Sequence, residues 1–389
     1  MNGITAKLNR LRITGLLFGI LGLAFCCVGY VFDRRPFYVS YLFALLFWIS
    51  LSVGCLYCGM IHYLTSGKWG FTARRILEAG YMTLPLMALL MIPIFFGLHD
   101  LYPWARPEAV SADKILRQRA QFENPPLFII RAVVFFGIWI LIACSLRRWS
   151  LRQDSTSDPT PTIKMRTLSG PAVAIAPLTV SFAFLDWAMT VEPDWSSTIF
   201  PVIQLAGQML IAIAFVIVIL AWTRNDFPFS GFPEKPFQDL ASLLVAFVLF
   251  WTYVAFSQVL LIYSANLPHE IGWYLRRIAN DWIWIVGLIG LFHFFAPFLL
   301  LLFRALKQNV RALAGIALIV FGIHAVETFW VIAPTFYPRL DLHWTDFAAW
   351  FGIGGIWLAI FAANLDRHPL LARNDPRTEH LIAEAAHAK

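Results

Sequence analysis

The sequence predicts an all-α integral membrane protein of ten transmembrane helices, and three observations carry that prediction. Hydrophobic residues make up 59 % of the 389 and charged ones only 14 %, with a mean hydropathy of +0.68. Soluble domains run at about 45–50 % apolar and about 25 % charged, so nothing here coats a water-facing surface of the required size. Second, ten stretches come close to the roughly 20 apolar residues that cross the hydrocarbon layer. Third, 35 Phe and 16 Trp suit a chain solvated by lipid and anchored at two interfaces. The formal charge of +7 then concerns loop orientation, and no nucleic-acid partner is expected.

In chain order, the first five spans are predicted at Ile13–Phe32, Tyr38–Tyr63, Ile76–Leu98, Leu127–Leu146 and Leu168–Val191. The second five fall at Ile199–Trp222, Leu240–Tyr263, Trp282–Phe303, Ala312–Ala333 and Phe347–Asn364. The first follows Lys7, Arg10 and Arg12 like a signal peptide, but it is long and lacks a small-x-small cleavage site. It is read as a retained helix. Pro85, Pro93, Pro171, Pro177 and Pro297 interrupt the third, fifth and eighth spans, and each removes a backbone hydrogen bond and favours a kink.

Loop charge sets the orientation. Of the 30 Lys and Arg, 20 fall on the side of the amino terminus and 10 on the other. The positive-inside bias places both termini in the cytoplasm, as an even number of spans requires. The longest loop, His99–Pro126, is then outside. Arg147–Thr167 is inside and, rich in Ser, Thr, Pro and charge, reads as a flexible connector. The polar tail after Pro369 has room for one short helix near Leu381.

Several chemistries are excluded. The five cysteines all lie in apolar runs, too few for a disulfide scaffold. Cys55 and Cys58 have redox spacing, but Gly59 follows where a covalently attached haem needs His, and two small hydrophobes one turn apart is the simpler reading. No phosphate-binding loop, dinucleotide fingerprint or four-cysteine cluster is present. A redox centre, if there is one, belongs to a partner, and this chain is assigned no cofactor, metal or catalytic residue of its own.

Ionisable groups inside spans are costly and usually face a cavity, a partner or a proton path. Asp186 lies in the fifth span on one stripe with Thr179 and Thr190; His293 is near the middle of the eighth; His324 and Glu327 are one turn apart in the ninth. Tyr253, Ser257 and Gln258 mark the seventh, and Gln204 and Gln208 the sixth. The economical arrangement turns these inward as one polar seam, a proton path through Asp186, Tyr253, Ser257, Gln258, His293, His324 and Glu327. The competing readings are interhelical hydrogen bonding and, with His293 and His324 as ligands, a haem or metal. Glu192, Asp194, His269 and Glu270 in the outer loops form a candidate outer mouth. His62 and Glu78 form a candidate inner mouth, although a carboxylate in a first helical turn is favourable with the helix dipole in any case.

Three stretches resemble a known family. Asp186-Trp187-Ala188-Met189-Thr190-Val191-Glu192-Pro193-Asp194-Trp195, continued by Ser197-Thr198-Ile199-Phe200, looks like a signature of alternative complex III membrane subunits. Trp251 to Gln258, with Asn266-Leu267-Pro268 and Trp273-Tyr274-Leu275-Arg276-Arg277, resembles the F subunit in particular. His293-Phe294 with Pro297 continues the likeness, and His324-Ala325-Val326-Glu327-Thr328-Phe329-Trp330 is similar to the family's H-x-x-D-x-[YF]-W, with Glu in place of Asp. The match covers most of Asp186 to Pro334, and the first four spans match mainly by hydropathy.

That NrfD-like family implies two four-helix bundles, spans two to five (38–191) and six to nine (192–333). The first helix (1–37) and the last with its tail (334–389) lie outside them. It also implies a bacterial inner-membrane quinol:electron acceptor oxidoreductase. A sister NrfD-like membrane subunit, an iron–sulfur subunit and haem c subunits are then the partners, and quinol is the substrate of the complex. The F-like chain is expected to translocate protons or to anchor the assembly. The alternatives are that it binds quinol itself, at residues the sequence does not identify, or that it is a free-standing secondary transporter.

Overall fold

The computed structural model describes residues 2–226, 235–372 and 374–375. Among them there is no strand, and ten helical spans are long and apolar enough to cross a membrane. These are α1 (Gly3–Phe32), α2 (Arg34–Thr65), α3 (Lys68–Phe96), α4 (Pro125–Gln153) and α5 (Thr160–Val191). They are followed by α6 (Phe200–Thr223), α7 (Pro236–Ala265), α8 (Trp282–Leu302), α9 (Val310–Thr335) and α10 (Trp344–Asp366). The chain is an all-α, multi-pass membrane protein. The helix expected near Leu381 lies outside the described residues.

Most spans overrun the apolar stretches that announced them, because hydropathy marks only the part solvated by lipid while the helix continues into the interface. Capping residues fix several true starts. The Asp33 side chain accepts from the Arg35 N–H, Asn124 from Leu127, and Asn309 from both Arg311 and Ala312. At the start of α1 the Lys7 ammonium reaches Asp226, 2.7 Å away beyond the end of α6.

Packing is centred on α2 and α6. α2 contacts α3, α5, α6, α9 and α10, while α6 also contacts α5, α7 and α9. α1 and α10 pair with each other, and glycines set their separation. A Cβ on Gly22 would lie 2.5 Å from the Gly352 Cα, and one on Gly355 would lie 2.4 Å from the Gly19 nitrogen. Such close backbone approach is how helices associate where lipid removes the hydrophobic driving force.

The prolines act unequally. α3 is broken into Lys68–Tyr81, Leu84–Leu90 and Ile92–Phe96, the second and third pieces each carrying a proline in their first turn. Pro171 and Pro177 sit inside the continuous helix Thr160–Trp187. In α8 a π-helical turn, Gly290–Phe295, immediately precedes the piece that holds Pro297. π-Turns are rare and frequently mark functional sites.

Two expectations about the inner side are corrected. The connector over Arg147–Thr167 is largely helical: α4 runs to Gln153 and the next helix starts at Thr160. The Gln153 amide ties the short link by donating to the carbonyls of Thr156 and Asp158 and accepting from Thr162. Glu78 does not open a helix either, since that helix begins at Lys68. It is fully buried, and Arg74 (3.0 Å), Arg75 (2.7 Å) and Arg147 (2.5 Å) all pair with it. Tyr63 and Ser150 donate to it as well. The amphipathic start of α3 can be helical and buried because this carboxylate answers its arginines.

Removing one partner from such a set leaves buried charge uncompensated. Glu78→Ala is expected to cost about 3–5 kcal/mol; thermal unfolding of the purified protein in lipid nanodiscs measures it, and an unchanged midpoint would refute the structural role.

Candidate functional site: a buried imidazole–carboxylate cluster

α9 places His324 and Glu327 one turn apart on its inward face, where the His324 Nδ1 lies 2.8 Å from the Glu327 Oε2. The π-helical turn of α8 brings the His293 Nδ1 to 3.4 Å from the same oxygen. From α7 the Trp251 indole N–H donates to the other carboxylate oxygen, Oε1, at 3.0 Å. The two imidazoles lie nearly parallel with centroids 5.5 Å apart, and the indole meets His293 edge-on at 4.1 Å. All four side chains are buried. α6 contributes a glycine: a Cβ on Gly207 would come within 2.5 Å of the His324 Cε1, so only glycine leaves room for that ring.

Polar capacity in this region exceeds its partners. Both ring nitrogens of His293, Nε2 of His324 and both amide atoms of Gln208 and Gln258 are buried without a hydrogen bond. An unsatisfied buried polar group costs about 1–3 kcal/mol, so such groups gather where water or a ligand is accommodated. A cavity of about 120 Å³ adjoins the cluster, lined by Gln204, Trp251, Gln258, Trp273, Tyr274 and Glu327 among others. Most of its lining is apolar, Ile203, Val259, Ile289 and Val331 among it, with Glu327, Gln204 and Gln258 as the polar members, and its volume has room for a few waters.

The roof of this cavity is a loop helix, Pro268–Ile278, held by the buried acid Glu192. Glu192 pairs with Arg276 and, at 3.2 Å, with Arg277, and it accepts from the Thr335 hydroxyl. Arg277 also donates to the Val331 carbonyl and lies over the Trp273 ring, 3.8 Å from its centroid. Trp273 stacks on Trp195 with centroids 4.3 Å apart. Outside the spans, burial pushes the Tyr274 phenol above its ordinary range.

The structure thus joins some of the sequence-selected residues and separates others. His293, His324 and Glu327 meet, with Gln258 on the adjoining cavity. Asp186 is taken up locally by Arg131 of α4, at 2.5 Å to Nε and 3.1 Å to Nη2. Tyr253 is 70 % exposed, and Ser257, half-buried, donates back to the Tyr253 carbonyl. The single seam through Asp186, Tyr253 and Ser257 is therefore not formed by direct contacts. At about 100° per residue, Trp251 and Gln258 share one face of α7 and Tyr253 and Ser257 lie on the opposite one.

The mouths fare differently too. Glu192 belongs to the arginine tie, Asp194 is exposed and Glu270 is half-buried in the first turn of the loop helix. The His269 side chain lies outside the described residues. His62 is buried among the rings of Tyr63, Trp69 and Phe71, and Glu78 is held by arginines as above. Sequence reasoning missed the roles of Trp251 and Gly207. The first had a signal in its seven-residue spacing to Gln258; the second had none, because its neighbour lies on another helix.

Fold and site together define the class: a polytopic helical membrane protein with a buried histidine–glutamate cluster beside a small cavity. No family model matches the chain, and none of the curated proteins compared with it matches.

Gly207→Ala is expected to lose about 1–3 kcal/mol by overpacking. The loss should be largely recovered in the His324→Ala background, as a double-mutant cycle on unfolding midpoints measures. Equal losses in both backgrounds would mean the glycine does not make room for the imidazole.

Proposed function

We propose that this chain is a non-redox membrane subunit of a quinol:electron acceptor oxidoreductase of the alternative complex III type, holding and passing a proton at His293, His324 and Glu327. One observation carries the reading: the kind of partner that each of four acids in or beside the spans has. The buried Glu78 and Glu192 and the half-buried Asp186 are paired with arginine, which stays charged at any accessible pH. Glu327 is paired with two imidazoles, which, unlike guanidinium, have both a neutral and a charged form. A carboxylate between switchable partners, beside a water-sized cavity, can take up and release a proton. Trp251 holds Oε1, so the proton is shared along the Oε2–His324 edge; Gln258 can orient water between Glu327 and the roof.

The quoted motifs from Asp186 to Trp330 support the family assignment. The α2–α3–α5 and α6–α7–α9 contacts, with α1 paired to α10, are compatible with two four-helix bundles and a peripheral pair. On this reading both termini are cytoplasmic, the membrane is the bacterial inner membrane, and a sister NrfD-like subunit, an iron–sulfur subunit and haem c subunits carry the electrons from quinol. Quinol binding at this cluster has less support, because the adjoining cavity is smaller than the roughly 300–1,000 Å³ of ligand pockets.

Glu327→Gln keeps shape and the indole contact but cannot carry the charge. In reconstituted vesicles holding the whole complex, it is expected to abolish proton translocation while quinol oxidation continues. An unchanged proton-to-electron ratio would refute the proposal, and purification of the chain without haem-containing partners would refute the subunit assignment.

A further inference from the structure

Beyond proton transfer, the geometry points to a binding site for one divalent transition-metal ion of the zinc type at His293, His324 and Glu327, in competition with the proton. The donor set is two imidazoles and a carboxylate, and their ligand atoms all lie within 4.8 Å of one another. Zinc takes such N and O donors at about 2.0–2.2 Å in a tetrahedron, whose edges are then about 3.3–3.6 Å. Of the separations from Glu327 Oε2, 3.4 Å to His293 Nδ1 matches such an edge, and 2.8 Å to His324 Nδ1 is shorter, as in a hydrogen bond that the ion would open. Small side-chain adjustments would complete the fit.

Three further features favour a ligand here over packing alone. His293, fully buried, makes no hydrogen bond through either ring nitrogen, and its Nδ1 faces the Glu327 carboxylate at 3.4 Å. The Trp251 indole orients the carboxylate through Oε1 and leaves Oε2 to face the rings, as outer-shell donors do for metal-ligating carboxylates. The adjoining cavity has room for a water at the fourth position, and a zinc-bound water ionises near pH 7, so hydroxide offsets the charge left by a single carboxylate. Binding requires Glu327 ionised and both imidazoles neutral. A bound ion therefore displaces the transferable proton.

The test uses the full-length chain in lipid nanodiscs, stripped with chelator and titrated with Zn²⁺ or Co²⁺. The expected result is one tightly held Zn²⁺ per chain. The Co²⁺ form should show the intense visible absorption of a tetrahedral site, and X-ray absorption should find imidazole ligands. Trp251→Phe, which spares the three ligands, should weaken binding by about 10–100-fold. An octahedral or absent Co²⁺ spectrum overturns the inference, as does equal Zn²⁺ retention by a His293→Gln/His324→Gln variant. The two readings fail separately. Zinc held by a protein whose Glu327→Gln variant still pumps supports the metal site and removes the proton path; pumping that needs Glu327 with no zinc bound does the reverse.

Discussion

An ionised group in a lipid-solvated chain has no water to fall back on, and that constraint organises this structure. Each buried acid must find its answer on a neighbouring helix, so each becomes a fastening between elements distant in sequence. Glu78 gathers Arg74 and Arg75 from its own helix and Arg147 from α4 at one end of the molecule. Glu192 binds the loop helix through Arg276 and Arg277 and the end of α9 through Thr335. Asp186 joins α5 to Arg131 of α4. These ties are permanent because guanidinium does not give up its proton under any accessible condition. Glu327 differs from these three in facing two imidazoles, and Asp346, also buried, is answered by the Ser40 hydroxyl and the His343 N–H.

The backbone around Glu327 is specialised to the same end. Pro297 lacks the N–H that a regular helix would use, and the turn ahead of it is π-helical, which aims His293 at a carboxylate on another helix. Gly207 makes room for the second imidazole, and Trp251 holds the carboxylate from a third direction. Four helices therefore position one acid and two bases to within hydrogen-bonding distance. Such convergence leaves polar atoms unsatisfied around a small cavity, a cost that stable packing alone would not select.

Membrane class, helix number and the identity of the cluster residues were legible in the sequence. Composition and the length of apolar runs are properties of the chain in one dimension, and the bilayer turns them directly into spans. The His324–Glu327 pair was legible because residues three apart on a helix must be neighbours. Which helix faces met was not. Tyr253 and Ser257 read as members of a polar stripe, and helical phase separates them from Trp251 and Gln258; the choice of which face turns inward belongs to packing. The arginine partners of Glu192 and Asp186 lie 85 and 55 residues away. No local pattern encodes pairing over that distance. The sequence by itself determined what must be buried; tertiary structure decided which acids meet guanidinium and which meets imidazole, because that depends on the side chain that a neighbouring helix brings.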